Sequence, residues 1–480
     1  MSLFAALLRR KPIDDVEDEA DENGLERTLG LWQLTAIGVG GIIGAGIFSL
    51  AGAVANQTAG PAVLLSFLLA GFASGCAALS YAEFAGMIPK AGSAYTYGYI
   101  ALGEGVAWFI GWDLLLEYTA IVAVVAIGVS GYFKFIVEQI GITPPEWMMG
   151  AVGTGEGRVV DVFAIVLCLG TAWLLTRGTG KVGRFELWVV ALKVLLVLVI
   201  VGLGVFHINS SNFTPFMPYG TGGVLTGAGV VFFAVFGYDA MSTAAEEAKD
   251  AKKHMPKAII YSLAIAMVLY VMATIVLTGM QKYSEINPES GFSTAFKSVG
   301  LPSVANVIAL GAIISIVTVM VTFMLGATRV WFSMSRDGLL PSYFAKTSKR
   351  KVPARITWIV GGGSAILAGV LPIHAVAELT NIGILLAFVV VCVAVIILRV
   401  KRPDVHREFR CPGMPYIPIL GIVFSLGLAL SLPIHTWERF GIWLLIGFAV
   451  YFGYSRRNSL QNPTSPRREV PLVRDDIDAG

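Results

Sequence analysis

Long runs of apolar residues, separated by short polar loops, make up most of this chain. At 1.5 Å rise per residue, about 20 apolar residues cross the roughly 30 Å hydrocarbon layer of a bilayer. On that measure the pattern predicts twelve membrane helices, at about residues 32–55, 60–87, 102–138, 159–177, 184–206, 222–246, 256–280, 302–334, 353–371, 374–400, 415–433 and 437–455. The third and eighth exceed what a bilayer needs, which implies tilt or an extra turn outside it. The first and sixth carry a glycine-rich interruption at mid-depth, GIIGAG at 41–46 and AVFGYD at 234–239. A helix broken inside hydrocarbon frees backbone groups whose burial is costly, so a break is tolerated where those groups line a cavity or meet a ligand. Two such breaks, each opening one half of the chain, point to the substrate site of a secondary transporter.

Composition agrees with an all-α membrane protein: of 480 residues 56% are hydrophobic and 14% charged, and the mean hydropathy is +0.74. A soluble domain has a different balance. The net charge of +3 says nothing about a nucleic-acid partner, because the distribution of charge carries the message. Lys and Arg crowd both tails and alternate loops, whereas the intervening loops carry Arg158, Lys282, Lys297 and Arg439. That asymmetry predicts a multi-pass protein of the cell membrane with both termini cytoplasmic. Residues 1–30, with an acidic run at 13–22, and residues 456–480 lack an apolar period and are expected to be solvated, disordered tails. The charged start does not read as a cleavable signal peptide. Cys76, Cys168, Cys392 and Cys411 show no CxxC spacing, and there is no Walker loop, dinucleotide fingerprint in a strand–helix setting or nucleophile elbow. Neither an enzyme nor a cofactor or metal site is expected.

Each break has its own chemistry. In the stretch Ile42, Ile43, Gly44, Ala45 and Gly46, the glycines remove side chains, so backbone N–H groups and the positive end of the following half-helix can face an anion such as a carboxylate. Close packing of small residues against another helix explains the same glycines without a ligand. In the sixth segment Phe232, Phe233, Ala234, Val235, Phe236 and Gly237 lead to Tyr238 and Asp239. Unwinding there frees carbonyls for an ammonium, with phenylalanines to shut out water. Donors at one break and acceptors at the other suit a zwitterion, hence an α-amino acid.

Charges within spans are functional candidates because burying them is expensive. Lys193 stands in the fifth segment, a candidate to exchange protons, or else a lysine snorkelling to the interface. Asp113 and Glu117 stand four apart on the third segment, hence on one face. Glu117 can hold a basic side chain of the substrate, share protons with the pocket, or make an interhelical hydrogen bond. Asp239 can couple to protons or cap the freed backbone. Glu83 and the pair Glu246–Glu247 read as ion-pair partners of Lys252, Lys253 or Arg336 near one membrane face.

These residues fall in motifs that match a known family. With IGVGGIIGAGIF in the first segment, SYAEFAGMIPKAGSAYTYGY at 80–99, GWDLLLEY at 111–118, FFAVFGYDAMSTAAEEAKD at 232–250 and TRVWFSMSRDGLLP at 328–341, the chain resembles the amino acid-polyamine-organocation transporters. Within them it is similar to bacterial members related to cationic amino acid transporters. The resemblance implies a five-plus-five inverted repeat, leucine-transporter-like, with residues 31–206 set against 222–400, helices 1 and 6 broken, and two further helices at 415–455. It implies that the substrate carboxylate meets amides near Ile42, Ala45 and Gly46, and that the amine meets carbonyls of Phe233, Ala234 and Phe236, with Phe233 similar to the family's gating aromatic. Many relatives carry Ser or Thr where this chain has Ala45, so one hydroxyl contact is missing. Lys193 matches the lysine that replaces a sodium ion of sodium-coupled cousins. The implied activity is proton-coupled symport of a neutral or cationic L-amino acid by alternating access, among membrane lipids. An obligate exchanger of the same fold and an amino acid-binding sensor without net transport are the alternatives, and a small membrane partner subunit stays open.

Overall fold

The fold was obtained as a computed structural model that describes residues 6–10, 29–88, 93–177, 182–242, 245, 248–346, 348 and 352–466. Among the described residues the chain is helical, with two isolated bridge pairings and no strand. The principal helices are α1 (Leu31–Ile42), α2 (Val63–Met87), α3 (Ser93–Ala101), α4 (Glu104–Gln139), α5 (Val162–Thr176), α6 (Val182–Gly204), α7 (Gly220–Val231) and α8 (Tyr238–Ser242). They continue with α9 (Ala251–Met280), α10 (Gly291–Ser298), α11 (Pro302–Arg336), α12 (Ala354–Val370), α13 (Ile373–Lys401), α14 (Tyr416–Leu430) and α15 (Ile434–Val450).

These helices occupy the twelve apolar segments. Six helical runs are long and apolar enough to cross a membrane, and shorter apolar helices supply the rest. The first segment reaches further than its hydropathy suggests: after the break it continues as π-helical turns at Gly46–Leu50 and Ala55–Ala59, linked by Ala51–Val54, and closes with the 3-10 turn Gly60–Ala62. The sixth is α7, the 3-10 turn Phe232–Ala234, then α8. The last two segments meet at 107° across residues 431–433.

A bilayer turns the usual core inside out at the rim and leaves it unchanged within. Leu68, Phe72, Leu195, Val268, Leu310 and Ile366 are exposed on the outer belt, while Asp113, Glu117, Lys193 and Asp239 are buried inside the bundle. The three most extensive helix pairings are α4 with α11, α2 with α9 and α5 with α12. Each unites one of the first five apolar segments with one of the next five.

Two expectations change at the face that carries the chain termini. Residues 456–466 dock on the bundle: Ser459 and Ser465 are buried, Leu460 N donates to Asp337 O (3.0 Å), and Ser459 Oγ donates to the buried Glu104 (2.6 Å). Residues 6–10 reach the same place, where Glu104 N donates to Arg9 O (2.7 Å). The composition of these segments hid their destination, because short polar stretches dock through hydrogen bonds rather than an apolar face. The remaining tail residues, 1–5, 11–28 and 467–480, lie outside the described residues. Glu83, in turn, pairs with arginines other than those expected. It accepts from Arg399 Nε (2.9 Å) and Nη2 (2.6 Å), from Arg407 Nε (3.0 Å) and from Cys411 N (2.8 Å). Glu246 and Glu247 lie outside the described residues.

Candidate functional site

The two breaks pack directly on one another at the centre of the bundle. Gly237 has φ +123°, and a Cβ on it would come within 2.8 Å of the Gly41 backbone; one on Gly41 would come within 2.9 Å of Gly237 O. A Cβ on Gly46 would overlap Ala234, and one on Gly44 would lie 2.7 Å from Val319 of α11. The glycines therefore serve close packing and also leave backbone bare at the crossing, so the two readings of the sequence are not exclusive.

Several freed carbonyls have side-chain partners, which is how the bundle tolerates the breaks. Tyr270 OH on α9 donates to Ile42 O (2.7 Å), Tyr132 OH on α4 to Phe48 O (2.5 Å), and Ser74 Oγ on α2 to Val235 O (2.8 Å). Asn381 Nδ2 on α13 donates to Gly229 O (2.7 Å) and Val230 O (3.1 Å). Ile42 and Ile43 finish α1, with Ile43 N still bonded to Val39 O (2.8 Å), so the amides that head the second half begin at Gly44 and continue through Ala45 and Gly46. A helix start of this kind offers unpaired N–H groups and the positive end of a dipole.

Across from those amides stand Phe233, Ala234 and Phe236, all buried, with the rings of Phe233 and Phe236 5.7 Å apart in an edge arrangement. Phe236 also meets Phe323 of α11 (5.6 Å), and Phe323 meets Tyr118 of α4 (5.5 Å). Tyr238 turns away from this wall: its hydroxyl donates to Ser74 O (3.2 Å), and its ring stacks on Phe388 of α13.

The charged candidates form two groups around the breaks. Lys193, buried on α6, donates through Nζ to Gly40 O (2.7 Å), within one turn of the first break. On the other side stand the buried Glu117, Asp113 and Asp239, and Tyr118 OH donates to Asp239 Oδ2 (2.6 Å). Among the described residues neither carboxylate oxygen of Asp113 nor Oε2 of Glu117 has a hydrogen-bond partner. Buried and unpartnered, these oxygens are where a proton or a cationic group would be most favourably received.

The structure brings most of the residues singled out in the sequence to one place. It adds Ser74, Tyr118, Tyr270, Val319 and Phe323, which sequence reasoning missed. The hydroxyls left a weak signal, since a tyrosine or serine within an apolar span needs a partner. Val319 and Phe323 left none, being ordinary apolar residues of an apolar helix. Among the described residues no group of three or more His, Cys, Asp and Glu is arranged to hold a metal ion.

A family model described as amino acid permease matches residues 29–462. The chain is 42% identical over 460 residues to the methylthioribose transporter of Bacillus subtilis, covering 96% of this chain and all of that protein. It is 43% identical to the branched-chain amino acid permease BcaP of the same organism, over 95% and 99% of the two chains. It is 36% identical to the vacuolar cationic amino acid transporter 2 of Arabidopsis thaliana, over 83% of this chain and 64% of that one.

Proposed function

The chain belongs to the amino acid permease family, and on that premise we propose that it carries L-amino acids across the cell membrane by proton-coupled symport, with both termini cytoplasmic. The observation that carries this reading is the crossing of the two breaks, with bare amides from Gly44 to Gly46 on one side and the Phe233–Phe236 turn on the other. A carboxylate fits the first and an ammonium the second. Phe236, Phe323 and Tyr118 form a continuous aromatic wall beside the breaks. An apolar wall favours a neutral substrate, as does the likeness to a branched-chain amino acid permease.

In this mechanism Lys193 holds α1 through a charge-assisted hydrogen bond to Gly40 O. Loss of its proton weakens that bond and frees α1 to move with its half of the bundle. Glu117 and Asp239 take or release protons as the crossing fills and empties. Binding energy is thereby linked to the motion that exposes the crossing to one side and then the other.

A second reading has its own support, because the methylthioribose transporter is as similar to this chain as the branched-chain permease is. That sugar has neither carboxylate nor ammonium, so it would leave the charge complementarity of the breaks unused. Purified protein in liposomes, given an inward proton gradient without sodium, decides among labelled leucine, arginine and methylthioribose. Concentrative uptake of leucine is the expected result. Uptake of methylthioribose alone would remove the zwitterion reading, and leucine movement only into preloaded vesicles would establish an exchanger.

A further inference from the structure

On the face opposite the termini lies a cavity of about 480 Å³, within the range of small-molecule sites. Its floor is Ser49 and Gly128: a Cβ on Gly128 would lie 2.8 Å from Ser49 Oγ and 3.4 Å from the Cβ of Ala45. One layer of residues therefore separates the cavity from the first break.

Its wall is charged. Glu289 accepts from Arg158 Nη1 (2.7 Å) through Oε1 and from Lys134 Nζ (3.4 Å) through Oε2. Among the described residues that long bond is the one hydrogen bond of Lys134, whose side chain is 7% exposed. An ammonium has three donors, so two remain unfilled in a place largely closed to water. The Ser49 hydroxyl on the floor is buried and also unpartnered. Asp161, the other acid of the lining, accepts through one oxygen, Oδ1, from both Ser130 Oγ (2.7 Å) and Ala164 N (3.0 Å).

We propose that this cavity is an outer binding site for the substrate amino acid, in which its carboxylate takes Lys134 and Ser49 while its ammonium meets Glu289. The proposal rests on the amino acid transport reading above. By competing for Lys134 and drawing on Glu289, the ligand loosens a bridge that joins three elements. The residues leading into α10 pack on the second half of the first segment, where a Cβ on Gly52 would lie 3.0 Å from Asn287 O. Glu289 ties that unit to α4 through Lys134 and to the α4–α5 connection through Arg158. Occupation of the outer site thus favours the parting of the elements that cover the break.

The test is the KM for leucine measured separately from each face, in right-side-out and inside-out vesicles. Lys134→Gln is expected to raise it about fivefold from the cavity's face, the loss of one charge-assisted contact, with little change from the other. Lys134→Arg should stay near the unaltered protein, and Phe233→Ala, at the central crossing, should raise the KM from both faces. Should Lys134→Gln not reach the membrane, Ser49→Ala carries the same comparison, with an expected shift of about threefold. Equal shifts from both faces, or none, would overturn the outer site and leave the transport reading intact. A wild-type protein that carries no amino acid from either face would sink both.

Discussion

Lys193 sits on α6, buried, with its ammonium on Gly40 O rather than turned toward a membrane surface. A lysine that only snorkelled would be replaceable at little cost, whereas one that ties α1 by a charge-assisted bond is not. Lys193→Ala is expected to retain leucine binding within a few-fold yet fail to accumulate leucine against a gradient. Wild-type accumulation by this variant would remove Lys193 from the coupling. The residue scale is also where sequence reasoning was least complete. Glu117 and Asp239 were visible because a carboxylate in an apolar run is conspicuous. Phe323 was not, because nothing in a run of apolar residues says which of them faces the substrate.

At the scale of the element, the two broken helices are held by glycine geometry as much as by hydrogen bonds. Gly237 combines φ +123° with a backbone neighbour 2.8 Å from where a Cβ would lie, so any side chain meets both strain and overlap. Gly237→Ala is predicted to destabilise the protein by about 2 kcal/mol or more and to abolish transport. By contrast, a Cβ on Gly202 or Gly362 meets nothing within 4 Å, so the same substitution there should leave uptake unchanged. Equal thermal midpoints for the Gly237 and Gly202 variants would refute the packing argument. Both breaks were legible in the sequence because glycine and unbroken apolar flanks are local signals. The π-helical continuation of the first segment to Ala59 was not, since it depends on what α7, α10 and the turn Tyr283–Glu285 present to it.

Across the whole molecule, buried carboxylates fasten the ends of the bundle on the face of the termini. Glu83 is fully buried and bonded to Arg399, Arg407 and Cys411, joining α2 to the end of α13 and the connection that follows. Glu104 gathers Ser459 Oγ (2.6 Å), Tyr451 OH (3.0 Å) and Tyr99 OH (3.1 Å). Removing one partner of a buried ion pair strands the other, at about 3–5 kcal/mol, whereas an exposed pair such as Lys253–Asp250 contributes about 1 kcal/mol or less. Glu83→Ala should therefore lower the thermal midpoint in detergent far more than Lys253→Ala, and the reverse order would show that the buried network is dispensable for stability.

The sequence by itself determined that the chain is a bundle of twelve apolar helical segments, where two of them break, and which family it belongs to. These follow from hydropathy and glycine placement, which act locally because a bilayer obliges each span to satisfy its own backbone. The tertiary structure alone decided that Glu83 meets Arg399 and Arg407, that residues 456–466 fold back onto Glu104, that Tyr238 turns toward Phe388, and that a charged cavity lies one layer outside the first break. Each depends on how helices remote in sequence are rotated and docked against one another. In an almost uniformly apolar chain every helix face looks alike until its neighbours are in place.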